Sequence, residues 1–139
     1  MKKFLVILFL SISIFTSCSI ENDNPPNFYL EIMPIQNVDI PESFIHGETY
    51  EISVTYNRPN SCYEFNDFIY SIQQNERTVA VVNTVYTDNE CTDLLEPVTV
   101  SFDFVVVSTE TYIFKFYQGT DSQGQDQYLL IEVPVEEEG

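Results

Sequence analysis

The sequence predicts an all-β fold, an antiparallel sandwich of two sheets built from about seven strands. Three observations predict it. Apolar and polar residues alternate along most of the chain from Phe28 to Val135. Turn-forming stretches recur at short intervals, among them "IPESFIHGE", "NRPNS", "QQNE", "TDNEC" and "TDSQGQD". No stretch carries a helical period.

The elements follow in order. "FYLEIMPI", Phe28 to Ile35, reads as the first strand. In the second, Tyr50, Ile52, Val54 and Tyr56 alternate with Thr49, Glu51, Ser53 and Thr55, the pattern of a half-buried strand. Phe68, Tyr70 and Ile72 mark a third row. "RTVAVVNTVYT", Arg77 to Thr87, is rich in β-branched residues and reads as a strand whose facing alternation leaves open. Val98, Val100, Phe102, Phe104 and Val106 form a fifth row, and Tyr112, Phe114 and Phe116 a sixth. "DQYLLIEVPV", Asp126 to Val135, closes the set. Pro34 and Pro134 each remove a ladder donor, so those strand ends are expected at sheet edges.

The N-terminus is of another kind. Met1-Lys2-Lys3 precedes "FLVILFLSISIF", twelve residues from Phe4 to Phe15, too short for a bilayer that takes about 20. It has the length of a signal-peptide apolar region. Thr16, Ser17 and Cys18 follow, and the run resembles a bacterial lipoprotein signal, with Phe15 where the usual pattern has Leu. The resemblance implies cleavage before Cys18, acylation of Cys18 and anchoring to a membrane through that lipid. Ser19 in place of Asp then favours the outer membrane, on its periplasmic or cell-surface face. The organisation expected is a signal over 1–17, a flexible tether over 18–27, a strand domain over 28–135 and an acidic tail over 136–139. "CSIENDNPPN" is too polar to build a core.

Charge excludes some partners. The whole chain carries −17; without residues 1–17, three basic residues face 22 acidic ones, a formal −19. Such a chain is repelled by nucleic acid and anionic lipid. The cysteines fit an oxidising compartment: with Cys18 lipidated, Cys62 and Cys91 remain to pair. Closing that loop stabilises by roughly 3–4 kcal/mol. A C-x-x-C redox spacing is absent, and the single histidine, His46, leaves a zinc site short of ligands.

"STETYIF", Ser108 to Phe114, resembles the corner that leads into strand F of immunoglobulin-like domains. The resemblance puts Tyr112 in the place of the corner tyrosine, whose hydroxyl bonds to upstream backbone. Phe114 stands where antibody domains have a core cysteine, and tryptophan is absent. Cys62–Cys91 would therefore staple strand or loop ends rather than cross the core. The signal with Cys18, "RPNSCYEF" and "YIFKFYQGTDSQGQDQYLLIEVPV" together resemble small lipoproteins of the Bacteroidota type. That resemblance implies location and fold, and no established activity.

Chemistry-bearing motifs are few. His46-Gly47 reads as a turn before a strand. No G-x-S-x-G elbow, H-E-x-x-H pair or P-loop occurs. The acidic stretches "DSQGQD" and "TDNECTD" lack the spacing of a calcium loop and read as polar turns. Tyr86 and Tyr117 fall at the parity opposite to the core; emerging on one face, they would form a protein- or carbohydrate-binding patch. The function expected is that of a non-enzymatic envelope lipoprotein presenting its sandwich for binding or structure, with neither cofactor nor metal. The alternatives are a secreted-protease inhibitor using Arg58 to Asn60, or a hydrolase using surface carboxylates.

Overall fold

A computed structural model describes Asn24 and residues 26–138. The expected signal, Cys18 and most of the tether lie outside these residues. The described chain is all-β, without helix, arranged in several sheets with no barrel.

The larger sheet holds β1 (Phe28–Met33), β5 (Tyr63–Gln73), β6 (Glu76–Tyr86), β8 (Tyr112–Thr120) and β9 (Asp126–Val133). The second holds β2 (Ile35–Asp39), β4 (Thr49–Asn60) and β7 (Asp93–Val105), in the order β2-β4-β7. A two-residue parallel pair joins β3 (Phe44–Ile45) to β10 (Val135–Glu136). These are ten strands where about seven are expected. Two of the additions arise at prolines. Pro34 splits the first run, sending β1 to one sheet and β2 to the other, and Pro134 divides the last run into β9 and β10. Proline has no N–H for a ladder, so the chain changes partners there.

The purely antiparallel expectation also needs correction. β6 pairs antiparallel with β5 and β1, but its first half runs parallel to β8, with Arg77 opposite Phe114 and Val79 opposite Phe116. The reason lies in the two sequences. β5, "YEFNDFIYSIQ", is largely exposed, whereas every residue from Val79 to Val85 in β6 is buried. A near-continuous apolar run suits a strand covered on both faces. β6 therefore takes the central place and leaves β5 at the edge. An immunoglobulin domain would instead set its strand C antiparallel against F.

Both sheets feed one core. Ile52, Val54 and Tyr56 of β4 and Phe104 of β7 meet Val79 and Val81 of β6 and Tyr112, Phe114 and Phe116 of β8. Phe44 enters between them, 5.2 Å from Phe104 and 6.1 Å from Phe114 between ring centroids. The Tyr112 hydroxyl accepts hydrogen bonds from the Val107 and Ser108 amides at 3.1 and 2.8 Å. This is the upstream-backbone contact expected of a corner tyrosine. At the bulge in β8, Gly119 has φ +95° and a Cβ there would sit 3.3 Å from Pro34. Glycine lets the bulge close against the sheet-switching proline.

Candidate functional site

The two sheets turn different outer faces to solvent. On the β4–β7 sheet, Ser53 bonds Ser101 and Thr55 bonds Thr99, each at 2.8 Å. Glu51 faces Asp103 in the same ladder. This is the hydroxyl and carboxylate surface that alternation predicts for a solvated sheet.

The outer face of the larger sheet is apolar. Across β1 and β6, Phe28 stands opposite Tyr86, Leu30 opposite Thr84 and Ile32 opposite Val82. On the other flank Ile69 of β5 stands opposite Ala80. Further along, Lys115 of β8 faces Leu130 of β9, and Tyr117 faces Tyr128. Leu30 is 58% exposed and Leu130 62%, while Ile32 and Ile69 stay nearly half exposed. Tyr86 and Tyr117, the two tyrosines of opposite parity, thus emerge on one face. The period-two rule carries both there, because each lies an even number of residues from its outward neighbours.

A hollow of about 170 Å³ opens in this face, walled by Ile32, Ile69, Tyr117 and Tyr128 and floored by Thr78 and Ala80. Its origin is topological. β1 lies along β6 from Val81 to Tyr86, and β8 takes over from Glu76 to Val79. The two neighbours part beside Ala80, whose methyl group fills little of the gap. Asp126 also lines the hollow. Burial, then the Asp126 carboxylate and Tyr128, push the Tyr117 hydroxyl pKa above 10, so the phenol stays neutral at physiological pH.

Carboxylates rim the face. Glu64, Asp67, Glu76 and Glu132 share its parity, with Asp126 at the end of β9. Lys115 is its one cation among the described residues, with Nζ 4.9 Å from the centre of the Tyr128 ring. Tyr117 and Tyr128 pack edge to face, 66° between planes.

The other expected residues lie elsewhere. Cys62 and Cys91 form a disulfide with Cα atoms 5.3 Å apart. It joins the β4–β5 turn to the β6–β7 connection, away from the core centre, and the Ser61 amide bonds the Thr92 carbonyl beside it. Arg58 is held by Glu96 at 2.6 Å and lies in a stretch of β4 paired with β7. His46 is exposed, its Nε2 3.3 Å from the Val107 carbonyl. Asp121 spends its carboxylate on its own turn, accepting from the Gln123 and Gln125 amides and from Gln127 Nε2. Among the described residues no three His, Cys, Asp or Glu side chains stand close enough to share a metal ion. Cys18 lies outside the described residues.

Comparison with family models, with curated proteins and with solved structures finds no match to this chain.

Proposed function

We propose that this is a non-enzymatic lipoprotein of the cell envelope, held by a lipid on Cys18, whose immunoglobulin-like sandwich docks a protein partner. The outer face of the larger sheet is the docking surface. One observation carries the reading: an apolar face with a side-chain-sized hollow stands where a solvated sheet would be polar. Aliphatic and aromatic side chains form its centre, and carboxylates its rim. The matching partner has an apolar residue for the hollow and lysine or arginine around it. A second copy of this chain would bring its own acidic rim against this one, so like charges oppose self-association.

Supporting the immunoglobulin-like reading are the Tyr112 corner, the β4–β7 pairing and the sheet switch at Pro34. The parallel β6–β8 pairing makes it a variant with β5 and β6 exchanged in order. Protease inhibition is the weaker reading, because Arg58 to Asn60 sit in a ladder with the arginine tied to Glu96.

The test is cross-linking in intact cells, comparing the native sequence with Leu130→Glu on the apolar face and Thr99→Glu on the polar one. A neighbour captured by the native chain and by Thr99→Glu, but lost with Leu130→Glu, supports the assignment. Equal capture by all three removes it. Palmitate labelling that persists in Cys18→Ala would remove the anchor.

A further inference from the structure

We propose that the opening between β5 and β7 is a second binding site, which takes a small apolar molecule carrying one carboxylate, with Arg77 as its anion receptor. β5 pairs with β6 alone and β7 with β4 alone, so an edge of each sheet is free. The two edges meet through aromatic rings: Phe68 lies 5.2 Å and Tyr70 5.9 Å from Phe102. Beside these contacts is a cavity of about 380 Å³, walled by Phe68, Tyr70, Ile72, Phe102 and Phe104. That volume falls within the range of small-molecule sites, about 300–1,000 Å³.

Arg77 lines the same cavity and is only 6% exposed. Its place on β6, opposite Ile72 and Phe114, turns it toward the space between the sheets. Nη1 donates to the Gln74 and Glu76 carbonyls at 2.7 and 3.0 Å. The guanidinium carbon sits 5.1 Å from the Tyr112 ring centre, and Nε is buried without a hydrogen-bond partner. Among the described residues the ion pair formed is Arg58–Glu96, and no carboxylate reaches Arg77. Arg77 is the most buried cation among the described residues, and none of the described carboxylates pairs with it. Burying an unpaired charge is costly, and a bound anion relieves that cost. Asp67 and Asp103 border the cavity at positions whose register faces the outer surfaces, and the walls are aromatic and aliphatic with Arg77 as the one cation among them, so the site offers one anion receptor and an apolar enclosure. A single carboxylate with an apolar body satisfies both conditions.

The experiment titrates the folded domain with decanoate and, separately, with decanol, reading calorimetric heat and thermal midpoint. Decanoate is expected to bind saturably and about tenfold or more tighter than decanol, the scale of a hydrogen bond to a charged group. Arg77→Gln should erase that preference. Should that variant fail to fold, Val107→Glu, at the exposed cavity mouth, should weaken decanoate and leave decanol unchanged. Leu130→Glu, on the partner-docking face, should change neither affinity. Equal affinity for acid and alcohol overturns the proposal. So does an absence of saturable decanoate binding up to about 1 mM, or sensitivity to Leu130→Glu rather than to Arg77→Gln or Val107→Glu.

Discussion

Replacing Tyr112 with Phe isolates one structural device. The ring stays, fully buried against Phe104 and Phe114, so the core keeps its volume. The hydroxyl goes, and with it the bonds from the Val107 and Ser108 amides. A net hydrogen bond stabilises by about 1 kcal/mol, so two give about 2 kcal/mol. The full penalty of stranded donors does not apply, since Val107 is exposed and Ser108 half-buried, and water reaches the segment. Urea unfolding followed by tyrosine fluorescence measures this, the chain having no tryptophan. With a slope of about 1.5 kcal/mol/M the midpoint should fall by about 1.3 M at unchanged slope. Tyr50→Phe is the internal standard. Its hydroxyl accepts a single amide bond, from Ile45 at 2.9 Å, and its loss should cost about half as much. A Tyr112→Phe loss below about 0.5 kcal/mol, or one no larger than that of Tyr50→Phe, refutes the corner's role.

Three more outcomes follow. Removing the disulfide with Cys62→Ser and Cys91→Ser, 29 residues apart, should cost about 3.6 kcal/mol by the loop-closure relation, read as a urea midpoint shift that added reductant reproduces in the native chain. Asn83 is fully buried and meets the equally buried Tyr56 hydroxyl, so Asn83→Leu should strand that hydroxyl and cost about 1–3 kcal/mol in the same assay; a gain would show the two side chains to be unbonded. Four phenols keep their protons above the usual pKa of 10: Tyr63 chiefly through its hydrogen bond to Glu31, and Tyr56, Tyr70 and Tyr117 chiefly through burial. Above that pH the unfolded chain holds fewer protons than the folded one, so this stabilisation is whole below pH 10 and falls as pH rises. Urea midpoints from about pH 9 to about pH 11, alongside phenolate absorbance, check it; titration of all tyrosines together at the ordinary pKa would contradict it.

The rows that face the core were legible because each alternates cleanly. Tyr50 to Tyr56 and Tyr112 to Phe116 bury the residues that parity selects. The Tyr112 contact was legible from a local motif, since donor and acceptor lie within five residues. The pairing of Cys62 with Cys91 was legible once the signal resemblance set Cys18 aside, which left two cysteines of three. Strand order was not legible. β6 and β5 both read as strands, and nothing local says which stands between neighbours, because that depends on what β8 packs against. Phe68, Tyr70 and Ile72 alternate as a core row does, yet Tyr70 and Ile72 are exposed at a free edge. The apolar outer face was half legible. The parity of Tyr86 and Tyr117 marks them as outward, but their sharing one face with Leu30 and Leu130 requires the register between strands. Arg77 gave no sign at all, for its burial is a consequence of β6 taking the centre.

The acidity and the apolar face bear on one another. A sheet exposing Leu30, Ile32, Ile69 and Leu130 invites association with any similar surface, including its own copy. The charge of −17 works against that, because two copies approaching face to face bring their carboxylate rims together. Screening weakens such repulsion over about 8–10 Å at physiological salt, while the apolar attraction persists. The charge excess therefore acts as a filter on the face. Under the proposed docking role it favours a basic partner over a second copy, and less so as salt screens the rim. Raising salt toward about 1 M should then produce self-association through this face, and Leu130→Glu should abolish it. Sedimentation that showed the same dimerisation in that variant would break the link between rim and face.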